Sequence, residues 1–86
     1  MSNYVYILAS IEPTDETPRR TYVGWTNDLD RRLAVHNTGT GAKSTRGRQW
    51  QLLYAECHPT RSAAMSREWH LKKDRRFRKS LVSLTI

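Results

Sequence analysis

Runs of apolar residues along the chain predict three β-strands. The segments are "YVYIL" at residues 4–8, "TYVGW" at 21–25 and "WQLLYAEC" at 50–57, which are rich in aromatic and β-branched residues. "SIEPTDETPRR" at 10–20 contains two prolines and several turn-forming residues, so it predicts a loop. We therefore expect the first two strands to form an antiparallel hairpin with a long connection.

Two further segments have the pattern of helices. In "TNDLDRRLAVHN" at 26–37, Thr26 or Asn27 can cap the N-terminus of the helix. Acidic residues in the first turn stabilise the helix by interacting with its dipole. "RSAAMSREWHLKKDRRFRKSLV" at 61–82 predicts a long helix that starts after "PT" and breaks near Asp74.

The order β-β-α-β-α(-α) predicts an α+β fold: a small antiparallel sheet of about three strands flanked by helices. A length of 86 residues indicates a single domain over residues 1–86. A chain of this size buries a modest fraction of its surface, so a deep cofactor pocket is not expected.

The glycine-rich segment "NTGTGAKSTRGR" at 37–48 is similar in composition to a P-loop, but its spacing differs. Counting back from Lys43, the Walker pattern requires glycine where the chain has Ala42 and Asn37. The segment also follows a helix and leads into a strand, which is the wrong context. We therefore expect no nucleotide cofactor.

The same segment suits an anionic backbone. Three of the four glycines of the chain alternate here with Lys43, Arg46 and Arg48. Glycines let backbone N–H groups approach phosphate, and the side chains add positive charge. An ordinary solvated loop is the alternative.

Charge supports a polyanionic partner. The 15 Lys and Arg residues against 8 Asp and Glu give a net charge of +7, which favours nucleic acid first and an anionic membrane surface second. "KKDRRFRK" at 72–79 adds a basic run. The residues of this run that we expect to contact nucleic acid are Lys72, Lys73, Arg75 and Arg76. The alternative interpretation of the run is an ordinary solvated helix face.

Other function classes are disfavoured. Cys57 is the only cysteine, so no internal disulfide can form, and a reducing, cytoplasmic location is expected. No apolar run approaches the roughly 20 residues of a membrane span. The three histidines and the cysteine lack the spacing of a zinc site.

Four side chains have patterns unusual for a purely structural domain. Tyr6 and Tyr22 lie on neighbouring predicted strands, and Gly24 shares a face with Tyr22, where a glycine in mid-strand indicates close approach by another group. Arg32 and His36 are one helical turn apart, at the edge of an apolar stripe. The alternative interpretation is that the tyrosines are simply favourable strand residues, and that Arg32 and His36 are solvated helix residues.

Glu68 is the fifth such residue, and two interpretations stay open. It is expected in the middle of an apolar arc on the second helix, formed by Ala64, Met65, Trp69 and Leu71. A carboxylate on a buried face needs a partner or a metal. The partner is either Lys72 at i+4 or Mg²⁺, which takes oxygen ligands and often only one or two carboxylates.

The combined pattern resembles the GIY-YIG nuclease superfamily, in particular its small stand-alone members. "YVY" at 4–6 stands for the first motif, with Tyr4 where the name has Gly, and "YVG" at 22–24 stands for the second. An Arg and a His follow on the next helix, and a lone Glu on a later one. The similarity covers nearly the whole chain.

This resemblance implies phosphodiester hydrolysis with one divalent metal, Mg²⁺ or Mn²⁺. Glu68 would hold the metal, while Tyr6 would orient or deprotonate the attacking water with help from Tyr22. Since a free tyrosine is a poor base at neutral pH, Arg32 and the metal are expected to lower the pKa of Tyr6. Whether Tyr6 or His36 is the base stays open.

The remaining roles implied by the resemblance concern the phosphate. Arg32 would stabilise charge on phosphorus, His36 would assist proton transfer or bind phosphate, and Gly24 would leave room for substrate. The expected function is a metal-dependent endonuclease acting on DNA with little sequence specificity. A non-catalytic nucleic-acid-binding module is the alternative, and a protein-interaction domain is a third.

The tryptophans have two interpretations. Trp25, Trp50 and Trp69 could stack on unpaired bases. We expect them in the core instead, because a small domain needs its large apolar side chains inside.

Overall fold

One three-stranded antiparallel sheet organises the fold of the computed structural model, which describes residues 2–11, 19–39, 43–45 and 47–84. The strands are β1 Asn3–Ile11, β2 Thr21–Thr26 and β3 Gln49–His58, in the order β2-β1-β3. The helices are α1 Leu29–Asn37, α2 Arg61–Lys73 and α3 Arg75–Leu84, with a 3-10 turn at Lys43–Thr45. The predicted α+β class and element order are confirmed.

Strand β1 lies in the centre of the sheet, and its residues alternate between two cores. Val5 and Ile7 pack with residues of α2 on one side, whereas Tyr6 and Leu8 pack on the other. Tyr6 lies opposite Gly24 on β2 and Ala55 on β3. Most of the predicted connection to β2 falls at residues 12–18, outside the described residues.

Helices α2 and α3 cover the first side of the sheet. The buried residues there are Val5, Ile7, Val23, Ala64 and Leu71. Phe77 of α3 meets the Tyr54 ring edge-on, with 5.2 Å between the centroids. Within the described segments, no helix is long and apolar enough to cross a membrane.

Helix α1 covers the second side. Its Leu29 and Leu33 pack against the buried cluster of Tyr6, Leu8 and Trp50. The prediction that all three tryptophans are core therefore holds for Trp50, which is 3% exposed, and is wrong for Trp69, which is 56% exposed.

The cap of α1 is Asp28, so the prediction of Thr26 or Asn27 is wrong. Thr26 is the last residue of β2, and its Oγ1 accepts from the Asp28 N–H at 3.1 Å. The Asp28 carboxylate then accepts from the N–H of Arg31 at 3.2 Å. Because the helix begins at Leu29, the capping position falls on Asp28, one residue after Asn27 and two after Thr26.

The predicted break at Asp74 is confirmed. Thr60 caps α2 by accepting from the Ala63 N–H at 3.1 Å, and Asp74 ends the helix with φ −91° and ψ 75°. The Asp74 carboxylate then accepts from the N–H of Phe77 at 3.0 Å, so one residue ends α2 and starts α3.

Candidate active site

A buried phenol and a buried imidazole meet on the α1 side of the sheet. Tyr6 Oη lies 3.0 Å from Nε2 of His36, and the two residues are 2% and 0% exposed. Tyr6 comes from the centre of β1, and His36 from the last turn of α1. Two residues that are 30 positions apart in sequence therefore form one hydrogen-bonded unit.

A threonine fixes the other nitrogen of the imidazole. Nδ1 of His36 lies 2.9 Å from Oγ1 of Thr45, which is 0% exposed. Trp50 Nε1 donates to the Thr45 carbonyl at 2.8 Å and holds the 3-10 turn in place. Sequence reasoning missed Thr45, because a threonine in a basic, glycine-rich segment has no signal that separates it from an ordinary loop residue.

Asn37 holds the end of α1 against β3, and with it the position of His36. Its Oδ1 accepts from the Trp50 N–H at 2.6 Å, and its Nδ2 donates to the Trp50 carbonyl at 3.0 Å. The segment 37–48, called the basic loop below, is thus joined at its first residue, Asn37, to Trp50 just beyond its end.

Tyr22 completes a group of three rings. Its centroid lies 4.8 Å from that of His36 and 6.3 Å from that of Tyr6, and the ring is half-buried. The two tyrosines share a side of the sheet because Tyr6 pairs with Gly24 and Leu8 with Tyr22 in the observed register.

Gly24 makes room for Tyr6. A Cβ at this position would lie 2.5 Å from Tyr6 Oη, 2.7 Å from Tyr6 Cζ and 3.1 Å from Tyr22 Cε2. The close approach expected at Gly24 therefore exists, but the group is the Tyr6 phenol. The expectation that this space is left open for substrate needs correction, because the phenol fills it.

Electrostatics keep the Tyr6 phenol protonated. Its pKa is raised to about 12, chiefly by burial and further by Tyr22 and Glu68, while hydrogen bonding and charge from Arg32 lower it. Arg32 therefore acts in the predicted direction, although burial outweighs it in the protein without a metal. The expected decrease in the pKa of Tyr6, which included the effect of a metal ion, stays a prediction. The charges of Arg32 and Glu68 therefore both influence the ionisation of this phenol.

The imidazole is held neutral. Burial, together with the nearby charge of Arg32, lowers the pKa of His36 from its ordinary value of 6.5. At neutral pH one of its nitrogens is therefore free to accept a proton.

Glu68 lies on α2 at the boundary between core and solvent. Its neighbours Ala64 and Leu71 are buried, but Met65 and Trp69 are 47% and 56% exposed. The predicted apolar arc is therefore too wide, because α2 contacts the sheet through a narrow stripe. The Glu68 side chain is 21% exposed.

Lys72 is the partner of Glu68 in this structure. Its Nζ lies 3.1 Å from Oε1 of the carboxylate, and the lysine side chain is 54% exposed. Of the two interpretations made from the sequence, the i,i+4 pair is therefore observed, and the role of Glu68 as a metal ligand stays a prediction.

The donor set is compatible with a magnesium ion bound largely by water and phosphate. The described part of the chain has no cluster of three or more His, Cys, Asp or Glu side chains. A single half-buried carboxylate that already attracts a cationic group can contribute one oxygen ligand. A closed protein cage for a metal is not present among these residues.

The predicted nucleic-acid contacts are distributed over the basic loop and the last two helices. Lys43 is exposed and Arg48 is half-buried, whereas Arg46 lies outside the described residues. The exposed residues of the helices are Lys72, Lys73, Arg75 and Arg76. Arg78 of the same run has a structural role, because it donates to Thr21 Oγ1 at 3.1 Å and to the Lys72 carbonyl at 2.9 Å.

A second polar cluster, which sequence reasoning missed, joins β3 to α2. Arg67 donates from Nε to both carboxylate oxygens of Glu56, at 2.9 and 3.1 Å, and from Nη2 at 3.0 Å. Tyr54 also donates to Glu56, and His58 Nε2 lies 2.8 Å from it. Burial opposes ionisation of Glu56, but hydrogen bonds from Arg67, Tyr54 and His58 hold its pKa at about 2.

Comparison with known proteins agrees with this geometry. A family model described as the GIY-YIG catalytic domain matches residues 2–80. A UPF0213 protein of Haloquadratum walsbyi is 49% identical over 82 residues, covering 94% of this chain and 85% of that protein. Another, from Clostridium perfringens, is 47% identical over 72 residues, covering 83% and 71%.

A solved structure is also similar. The solution NMR structure of a UPF0213 protein from Bacillus halodurans has a TM-score of 0.52 and 40% identity, covering 98% of this chain and 85% of that one. Fold, motif positions and family match agree, and the chain belongs to the GIY-YIG family, a family of nucleases.

Proposed function

We propose that this protein is a divalent-metal-dependent endonuclease that hydrolyses phosphodiester bonds of DNA with little sequence specificity. The observation that carries the proposal is the buried, hydrogen-bonded chain Tyr6–His36–Thr45, whose phenol is influenced by the charges of Arg32 and Glu68. Burial of this many polar groups around one point is costly unless they are satisfied or used.

The proposed proton path uses the contact between the phenol and the imidazole. A phenol with a pKa of about 12 stays protonated at neutral pH, and its O–H can donate to Nε2 of the neutral His36. As the water oxygen bonds to phosphorus, the P–O bond to the leaving nucleotide oxygen breaks, and that oxygen takes a proton from solvent. The attacking water gives its proton to the Tyr6 oxygen, and Tyr6 passes its own proton to His36. Tyr6 is then a relay, His36 is the final acceptor, and Thr45 Oγ1 accepts from Nδ1–H of the imidazolium.

Arg32 and Glu68 serve the phosphate. The Arg32 guanidinium, near the Tyr6 oxygen, stabilises negative charge that builds on the equatorial oxygens. The Glu68 carboxylate would hold Mg²⁺ or Mn²⁺, with Lys72 moving away from it. When bound, such an ion supplies Lewis-acid polarisation of a phosphoryl oxygen.

Substrate binding is attributed to exposed basic side chains rather than to base-reading groups. The exposed side chains that could contact a phosphate backbone are Lys43, Lys73, Arg75 and Arg76. Contacts of this kind position a duplex or strand but carry no sequence information. Cleavage is therefore expected on many sequences.

The test is cleavage of labelled single-stranded, duplex and branched DNA, with Mg²⁺ or Mn²⁺ and with chelator. We expect cleavage with metal, none with chelator, and loss of cleavage in Glu68→Ala and Glu68→Gln. Equal cleavage by wild type and Glu68→Ala would contradict the proposal, since the activity would then come from a contaminant.

The second candidate is a nucleic-acid-binding module without catalysis. The ion pair between Lys72 and Glu68 favours it, because that lysine occupies the carboxylate needed by a metal. Salt-sensitive DNA binding, combined with no turnover on any substrate and no measurable Mn²⁺ binding by the intact protein, would select this candidate.

A further inference from the structure

An exposed apolar stripe runs along α2 next to Glu68. Met65 and Trp69 are one helical turn apart, with exposed fractions of 47% and 56%. Because each helix residue is rotated by about 100° from the one before, Trp69 lies on the solvent side of Glu68 rather than over the core. The stripe therefore lies beside Glu68, the carboxylate to which the proposed function assigns the metal.

Positive charge accompanies this stripe. Lys73 Nζ lies 3.8 Å from the centroid of the Trp69 ring, and the His70 ring meets the indole edge-on with 5.0 Å between centroids. Lys72 stands between the stripe and the carboxylate of Glu68. An aromatic face with adjacent cations matches the chemistry of a nucleotide, which has a π-face and a phosphate.

We propose that Trp69, together with Met65 and Lys73, stacks on an unpaired base close to the scissile phosphate. The protein would then select DNA that contains unpaired nucleotides, such as a single strand or a flap. This inference rests on the proposed function for the identity of the polymer and for the position of the phosphate.

The chemistry of the stripe favours an unpaired base over other occupants. In a duplex the faces of the bases are covered by neighbouring pairs, so an indole on a helix can stack only on a base that is unpaired or flipped out. A second copy of the chain would bring together two like-charged surfaces, since the last turn of α2 carries His70, Lys72 and Lys73. An acidic protein surface would satisfy the lysines but would not use the indole.

The experiment measures binding in the presence of chelator, so that no cleavage is needed. Fluorescein-labelled oligothymidylate and a labelled duplex of mixed sequence are titrated with wild type, Trp69→Ala, Trp69→Phe and Ile11→Ala at fixed salt. Ile11 is the matched control, because it is an apolar residue with a similar exposed fraction, 54%, and it lies at the last position of β1 rather than on α2. Thermal unfolding of each variant confirms that it is folded.

We expect Trp69→Ala to weaken binding of the single strand by about fivefold or more, as alanine substitution of stacking aromatics does. Duplex binding should be unchanged, Trp69→Phe should retain most of the affinity, and Ile11→Ala should behave as wild type. Unchanged single-strand binding by Trp69→Ala would overturn the inference, as would an equal loss on strand and duplex.

Cleavage assays on the same proteins separate this inference from the proposed function. If wild type cleaves DNA but Trp69→Ala has the same binding and the same substrate preference, the inference fails and the nuclease proposal stands. If wild type cleaves nothing while Trp69→Ala selectively loses single-strand binding, the stacking site stands and the nuclease proposal fails.

Discussion

The hydrogen-bonded chain of Tyr6, His36 and Thr45 shows how burial changes what a side chain can do. Burial raises the pKa of the phenol and lowers that of the imidazole, so both groups are neutral at neutral pH, and the Tyr6 hydroxyl lies 3.0 Å from a ring nitrogen of His36. From the sequence, Tyr6 and His36 were equal candidates for the base. In the proposed relay the histidine is the final acceptor, because it is the neutral base in direct contact with the phenol.

Thr45 is expected to tune His36 without contacting substrate. The imidazolium donates more strongly from Nδ1–H than the neutral ring does, so removing the acceptor in Thr45→Val should lower the pKa of His36 further. Because the neutral form of His36 is active, the acidic limb of the pH–rate profile should move to lower pH, and the plateau rate should fall.

Thr45→Ser retains the hydroxyl and is the matched control. It should restore both the plateau and the acidic limb of the pH–rate profile. A purely structural role for Thr45 would lower the rate without moving the limb, and that result would contradict this account.

A side chain at position 24 should destabilise the folded protein. In Gly24→Ala the added Cβ would lie 2.5 Å from Tyr6 Oη, so the phenol or the strand must shift. We expect a loss of about 1–3 kcal/mol in the free energy of unfolding, as for other overpacked cores. Urea denaturation measures it, and an unchanged midpoint would show that the phenol moves at no cost.

At the scale of elements, periodicity predicted the helices and strands better than it predicted their exposure. The alternation of β1 placed Tyr6 and Leu8 on the side opposite Val5 and Ile7. On α2, however, the apolar pattern includes Met65 and Trp69, which are exposed. A pattern identifies the apolar positions, but the width of the contact between helix and sheet decides which of them are buried.

Some contacts between different helices and strands could not be predicted from the sequence. Glu56 on β3 and Arg67 on α2 are 11 positions apart, and their ion pair depends on how α2 crosses the sheet. Thr45 likewise has a role only because the fold brings its hydroxyl next to His36 of α1. Such pairings depend on tertiary geometry, which neither composition nor spacing specifies.

The cluster around Glu56 is expected to hold α2, and therefore Glu68, in position. The pKa of Glu56 is about 2 in the folded protein against an ordinary 4.5. Its contribution is therefore complete above about pH 4.5 and disappears as the pH falls towards 2. From this shift, Glu56→Gln should cost about 3 kcal/mol at neutral pH.

Urea denaturation of both proteins as the pH is lowered tests this. The difference in the free energy of unfolding between wild type and Glu56→Gln should shrink steadily in the acidic range. A difference that is independent of pH would mean that the carboxylate charge contributes nothing to the attachment of α2.

The whole molecule is basic, and this charge should govern its affinity for DNA. With a net charge of +7, the logarithm of the affinity should fall linearly with the logarithm of the salt concentration. Lys43→Glu and Arg75→Glu, at exposed positions, should weaken binding to all sequences alike and reduce the slope.

Lys43→Arg keeps the charge and is the control for this series. It should bind with the wild-type affinity and slope. Binding that is insensitive to salt, or that is unaffected by both charge reversals, would remove the case for a phosphate-binding surface and favour a protein partner.

Single-turnover cleavage of DNA by Tyr6→Phe tests the central claim most directly. The variant keeps the ring and the packing beside Gly24 but removes the hydroxyl that joins water to His36. We expect a rate lower by about 10²-fold or more, the usual size of a lost proton-transfer group, with folding and DNA binding retained. Cleavage by Tyr6→Phe at the wild-type rate would contradict the account.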